Sequence, residues 1–285
     1  MFCEGGQKMH KEWKNRVIRI VLVLSYVFFF AVYLFPLAWV GLTAVKPTEL
    51  IMSSPPVFRF QPILEHFIRL QTEWKFYGRV LNSLIISSGT TFISVGLGIV
   101  TAFALSRYNF RGKTFIPIWF LSNRFLPAVA VVLPLFLMFQ KFRLVDTYIV
   151  VILANLIPTL PFSIWLLYGF LNDIPRELDD AARVDGCGNL MVLWKILLPI
   201  AAPSIAVTAI FAFIFSWNEF FIPLVLTRSR VVPVTVAFAG FKQQFRFDWG
   251  GMSAAAMVCL VPLFLMVTVL HKHVVRGMTL GAVKG

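Results

Sequence analysis

Charge is scarce in this chain. Only 14% of its 285 residues are Asp, Glu, Lys or Arg, where a soluble domain carries about 25%. Acid is scarcer still, with 13 carboxylates against 26 basic side chains and a formal net charge of +13. With 59% hydrophobic residues and a mean hydropathy of +0.81, the chain has too little polar surface to close around a core in water. That excludes an ordinary soluble enzyme or binding module and points to lipid as the solvent. The basic residues are scattered between apolar runs rather than gathered on one polar domain, which argues against a nucleic-acid partner.

Cysteine and histidine are also few. Cys3, Cys187 and Cys259 are odd in number and widely spaced, so neither a disulfide framework nor a zinc site is expected. His10, His66, His271 and His273 are dispersed, and no His-Glu-x-x-His motif or Ser–His–Asp set occurs. The stretch "RYNFRGKT" closes on Gly112-Lys113-Thr114 like the end of a phosphate-binding loop, but Arg107 stands at that motif's first glycine. It also joins two apolar runs rather than a strand and a helix. The expectation is a chain without an ATPase site, catalytic residue, metal or cofactor of its own.

Long apolar runs are what the sequence has in abundance. A bilayer core takes about 20 apolar residues per helix. Six runs qualify, at about 17–45, 81–106, 115–140, 147–170, 200–226 and 253–273. The basic segment 1–16 precedes a run too long for a signal peptide, and no small-x-small cleavage site follows. The reading is an all-α membrane protein with six transmembrane helices, made of an N-terminal segment 1–16 and a single membrane domain 17–285. The second run is rich in Ser, Gly and Thr, which lets helices approach closely. Pro127 and Pro134 in the third run, and Pro158 and Pro161 in the fourth, predict bent helices.

Six spans place both termini on one side. That side collects 14 Lys and Arg against 11 on the other, a lean toward cytoplasmic termini. The opposite side carries two long loops, about 46–80 and 227–252. Within or near the spans, Arg124, Asn155, Asn218 and Glu219 are costly in lipid and should face the bundle or an aqueous path. Trp217 beside Asn218 and Glu219 suits a sugar, with the ring on the apolar face of a pyranose and the polar groups on its hydroxyls. The alternatives are an interhelical hydrogen bond or an Arg124–Glu219 ion pair.

One charged stretch, 172–199, interrupts the oil. Asn172 and Asp173 can cap a helix, Pro175 suits its first turn, and Glu177, Asp179 and Asp180 favour its N-terminal dipole. Gly186 should stop it in the left-handed region, and "NLMVLWKILLP" resumes helical spacing until Pro199. The result is a helix–turn–helix knob, with Ala181 and Ala182 leaving a surface open to close approach.

The stretch resembles the "EAA" loop of permease subunits of ABC importers. Asp180-Ala181-Ala182, three residues, Gly186, nine residues and Ile196-Leu197-Leu198-Pro199 reproduce that loop's spacing, with Asp for Glu at 180. "RFLPAVAVVLPLFLMFQKFRLVDT", "SWNEFFIPLVLT" and the tail "VVRGMTLGAVKG" are similar to carbohydrate-uptake permeases of the maltose type, from about residue 80 onward. The resemblance implies the type I ABC importer permease fold in a bacterial cytoplasmic (inner) membrane, with both termini cytoplasmic. It implies that Glu177, Asp180, Ala181, Ala182, Asp185, Gly186, Ile196, Leu198 and Pro199 couple to a separate ATPase. Arg124, Asn155, Trp217, Asn218 and Glu219 become candidates for the translocation path. Arg228, Arg230, Phe241, Gln244 and Trp249 become candidates for contact with a substrate-binding protein. The implied partners are a second, generally non-identical permease subunit, two ABC ATPase copies that use ATP and Mg2+, a periplasmic or lipid-anchored binding protein, a carbohydrate and the bilayer. The same scaffold importing a polyol, glycerol phosphate or oligosaccharide is the alternative, and a solitary secondary carrier a more distant one.

Overall fold

The computed structural model of the chain describes residues 2–241 and 248–281, and among the described residues all regular structure is helical. Among the described residues five helices are long and apolar enough to cross a membrane, and a bent pair makes a sixth if counted as one span. The chain divides into two compact units.

The smaller unit holds residues 1–69 and 248–257. It contains α1 (Phe2–Ala44), α2 (Thr48–Ile51), the start of α3 (Glu65–Thr72) and the start of α13 (Trp249–Gly281). Most of α1 is exposed, ringed by Phe28, Phe29, Phe30 and Tyr33, as a helix that meets lipid or a partner must be. Near its end His66 is buried and its Nε2 bonds the Lys46 carbonyl at 2.9 Å. Gly250 is obligatory there, since a Cβ would collide with that imidazole.

The larger unit holds residues 70–247 and 258–285. Its centre is α4 (Phe76–Arg107) against α7 (Tyr148–Asn172). The buried residues Ser83, Ser87, Thr90, Ser94, Gly98 and Ala102 of α4 recur at helical spacing and form a stripe of small side chains. This stripe lets α7 approach until Ser94 Oγ lies 3.2 Å from Ser163 Oγ, and a Cβ on Gly98 would sit 3.1 Å from Leu167 Cδ1. Gly98→Leu is therefore expected to overpack the contact and destabilise the fold by about 1–3 kcal/mol, with Gly98→Ala well tolerated by comparison. Thermal midpoints of the detergent-extracted variants check this.

Contacts climb both helices together, from Asn82 with Tyr148 to Arg107 with Leu171, so α4 and α7 run parallel. The return between them is α5 (Phe115–Ser122), a 3-10 turn at Asn123–Phe125 and α6 (Ala128–Lys141). The two halves of this third span meet at 86°, with Pro127 at the junction. Pro158 and Pro161 stay inside a continuous α7.

The fifth span differs from the 200–226 expectation. Helix runs unbroken from Asn189 to Asn218: α9 (Asn189–Val192), a π turn at Leu193–Leu197 and α10 (Leu198–Asn218). Pro199 does not stop it. The missing N–H of proline falls where the hydrogen-bond ladder already shifts from π to α spacing. The span ends instead at Glu219, whose Oε1 accepts the N–H groups of Phe221 and Ile222 and so starts α11 (Phe221–Leu226). α10 runs antiparallel to α7, with Ser216 beside Asn155 and Phe211 beside Phe162. Two short helices complete the set, α8 (Glu177–Val184) and α12 (Val234–Ala239).

Candidate functional site

α8 and α9 form the expected knob, at the end of the larger unit where α4 and α7 finish. The start lies later than the sequence signals suggested. Asn172 completes α7 rather than capping α8, which begins at Glu177 without a side-chain cap. The stop is as read. Gly186 has φ +83°, Gly186 N–H donates to Arg183 O at 3.0 Å and Cys187 N–H to Ala182 O at 2.9 Å. These are the two bonds of a Schellman turn, with Cys187 packed on the Ala182 cluster as its hydrophobic contact.

The two faces of α8 differ. Asp179 and Ala182 are buried, with Ala182 in a core of Ala102, Phe103, Leu167, Leu171, Leu193 and Leu197. Ala182 therefore packs inside its own chain, and only Ala181 of the pair leaves room for a partner. Glu177, Asp180 and Asp185 are exposed, and Asp180 pairs loosely with Arg183 at 3.7 Å. Between these acids stand uncovered apolar groups. Val184 is 88% exposed, Leu190 70% and Trp194 67%. Ile196 and Leu198 are half-buried in the second helix, and Pro199 is exposed. A small knob that shows this much apolar surface among exposed charges of both signs has the make-up of an interface.

The inner side of α8 is tied by charge. Arg107, the last residue of α4, lies 2.6 Å from Asp179 Oδ2 through Nε, with both side chains about 5% exposed or less. Its other nitrogens donate to Leu171 O at 3.0 Å and Ile174 O at 3.3 Å, and Arg176 donates back to Ser106 O at 2.7 Å. Sequence reading passed over both partners. Arg107 drew notice only as a failed phosphate-loop glycine, and Asp179 only as a dipole acid.

The opposite end is organised by Asp146, which the sequence reading also missed. It sits at φ +65°, and its carboxylate accepts backbone N–H groups from Arg228, Ser229, Arg230 and Val231 at 3.0–3.1 Å. Burial pushes its carboxyl upward, but the four donors outweigh that and hold it below the usual aspartate range. Asn82 reinforces the loop, bonding Arg230 O and Val232 O through Nδ2 while accepting the Tyr148 hydroxyl at 2.6 Å. Arg228 and Arg230 consequently project from a fixed backbone and are exposed. Arg228 also lines a cavity of about 450 Å3 with Trp74, Arg79 and Thr227. Phe241 is fully buried among Trp74, Phe76 and Phe238, so it serves the core rather than a partner. Trp249, the first residue of α13, is exposed. Gln244 lies outside the described residues.

The five path candidates do not converge on one polar surface. Asn155 is buried and donates to Ser216 Oγ at 3.0 Å, an interhelical bond. Trp217 is buried and stacked on Phe213 at 5.6 Å, which leaves no ring face for a sugar. Asn218 is exposed and bonds its own helix at Ile214 O. Glu219 caps α11 and its carbonyl accepts the Thr235 hydroxyl. Arg124 places its guanidinium over the rings of Phe162 and Phe215, at 5.0 and 4.3 Å, instead of pairing with Glu219. A cavity of about 540 Å3 between α4, α10 and α13 is lined by Phe92, Ile99, Trp194, Phe213 and Met266, too apolar for a hydroxyl-rich ligand.

This architecture has close counterparts. Over 91% of the chain it superposes, with a TM-score of 0.76 and 19% identity, on 97% of a chain in the crystal structure of a bacterial ABC transporter involved in importing the acidic polysaccharide alginate. The trehalose/maltose transport system permease protein MalG of Thermococcus litoralis is 33% identical over 273 residues, covering 94% of this chain and 97% of that protein. The diacetylchitobiose uptake system permease protein DasC of Streptomyces coelicolor is 31% identical over 281 residues, covering 96% and 98%. Residues 94–280, which include the knob, α10 and the Asp146-pinned loop, match the family described as the binding-protein-dependent transport system inner membrane component. The chain thus belongs to that family and is a multi-pass inner-membrane permease component of an ABC transporter.

Proposed function

We propose that this chain is the membrane-spanning subunit of an ATP-driven importer for a sugar or a related carbohydrate, with α8 and α9 docked on a separate ABC ATPase. The observation that carries the reading is the uncovered apolar knob, whose Leu178, Val184, Leu190 and Trp194 stand exposed among the described residues. The relatives named for trehalose/maltose and diacetylchitobiose support a carbohydrate cargo. The knob end then lies in the cytoplasm together with both termini. The Asp146 end faces outward and offers Arg228 and Arg230 to a substrate-binding protein. The chain holds no cofactor; ATP and Mg2+ belong to the ATPase. Because the path candidates are mostly taken up within the chain, the translocation path is completed by a second permease subunit, with two ATPase copies below.

A mild-detergent pull-down of the tagged chain from its native membrane, read by mass spectrometry, tests this. An ATPase, a second six-span protein and a binding protein are expected to accompany it. A chain that emerges alone overturns the reading in favour of a solitary carrier. Gly186→Leu sharpens the test. Open space surrounds this glycine, so the variant suffers only backbone strain from φ +83°, about 1–2 kcal/mol. It is expected to reach the membrane in normal amount and to lose the ATPase from the pull-down.

A further inference from the structure

The geometry points to the Arg107–Asp179 pair as the strut through which movement of α8 is passed to α4 and α7 together. The inference rests on the reading that α8 docks on an ATPase. One guanidinium joins three helices: Asp179 of α8 at 2.6 Å, the Leu171 carbonyl near the end of α7 at 3.0 Å, and its own place at the end of α4. A fourth tie, Ile174 O at 3.3 Å, holds the segment between α7 and α8, and Arg176 returns a bond to Ser106 O. Both side chains of the pair are about 5% exposed or less, so water is not at hand to replace a broken contact. A charge pair in such surroundings cannot separate cheaply, and displacement of one side carries the other with it. The next residue shows the contrast, since Asp180 is 72% exposed and meets Arg183 only at 3.7 Å. Asp179 Oδ1 is buried without a hydrogen-bond partner among the described residues, an acceptor left open for a second arrangement of the same joint. Arg107 and Asp179 are thus positioning residues, acting through α8 rather than on the cargo.

The test uses the complex of the full chain in lipid nanodiscs, with amide exchange as readout and Mg-ATP plus vanadate as the probe. In the wild type, the nucleotide is expected to change exchange in 177–187 and also in 100–107 and 168–174. In Asp179→Asn, exchange of 177–187 without nucleotide should rise at least about tenfold, and the nucleotide response should stay confined to that segment. Asp179→Glu keeps the charge and should restore passage to 100–107. A response in Asp179→Asn that still reaches 100–107 and 168–174 overturns the strut. If Asp179→Asn does not assemble, Arg107→Lys takes its place. It keeps the charge but lacks the fork to reach Leu171 and Ile174, so the response should reach 100–107 and miss 168–174; a response at both sinks the proposal. If no ATPase accompanies the chain, the docking reading fails separately. The strut then stands or falls on whether Asp179→Asn loosens 177–187.

Discussion

Replacing Arg107 by methionine is expected to destabilise the chain by about 3–5 kcal/mol, because it strands Asp179 as an uncompensated charge in an apolar pocket. The pair is almost wholly buried, so solvent can do little to soften the loss. The carbonyls of Leu171 and Ile174 lose donors as well, adding up to about 1 kcal/mol each. Arg107→Met with Asp179→Leu should recover most of the deficit, since a buried ion pair exchanged for packed apolar groups is often close to neutral. Thermal midpoints of the extracted single and double variants decide. A double variant as unstable as Arg107→Met would place the cost in the lost carbonyl bonds rather than in the charge. The cycle has a second use, because a stable double variant is a folded chain whose strut has lost its ionic character.

Asp146→Ala is expected to release the 228–231 loop, with a local cost of about 2 kcal/mol as its four backbone donors turn to water. Alanine also accepts φ +65° poorly. Asp146→Asn separates the two effects, since asparagine tolerates that conformation but offers one acceptor oxygen and an unwanted donor. Faster amide exchange at 228–231 in both variants is the expected result. Unchanged exchange in Asp146→Asn would mean that chain geometry alone holds the loop. The pH dependence follows in sign. A carboxyl held below its ordinary value contributes its full stability above the unfolded value of about 3.9, and that stability is lost as pH falls through the lower folded value. The loop should therefore exchange with unaltered protection between about pH 5 and 8, after correction for intrinsic rates, and open only in stronger acid.

Much of the fold could be read from the sequence because lipid demands so plain a signal. A span must be long and apolar, and residues 15–44, 76–107 and 148–172 satisfy that within a few residues of where hydropathy put them. The fifth span was misjudged because proline was read as a stop. Locally that is sound, but a neighbouring π turn absorbed the missing donor. The knob could be found because Gly186 carries a backbone requirement that few other residues meet. Its inward side could not, because two adjacent aspartates look alike in sequence. Only the position of Arg107, 72 residues earlier, makes Asp179 the buried one. Asp146 was hidden for the same reason, since its partners are backbone groups more than 80 residues away and leave no mark of their own in the sequence. The path candidates went the other way. Asn155 and Trp217 looked functional because they are polar or aromatic at depth, and packing used them as interhelical bond and stack.

The π turn gives the fixed interval in the knob a meaning as a ruler. Nine residues separate Gly186 from Ile196, and they run from the Schellman turn through α9 into Leu193–Leu197. Each residue of an α-helix advances about 100° around its axis. Deleting one residue here, for example Lys195, would therefore move Leu193 into the exposed place of Trp194 and Met191 into the buried place of Val192, or else rotate all of α10 against α4 and α7. The interval is thus a phase setting between knob and span. Loop insertions beyond Gly186 that leave other membrane proteins untouched should here act as errors of angle rather than of length.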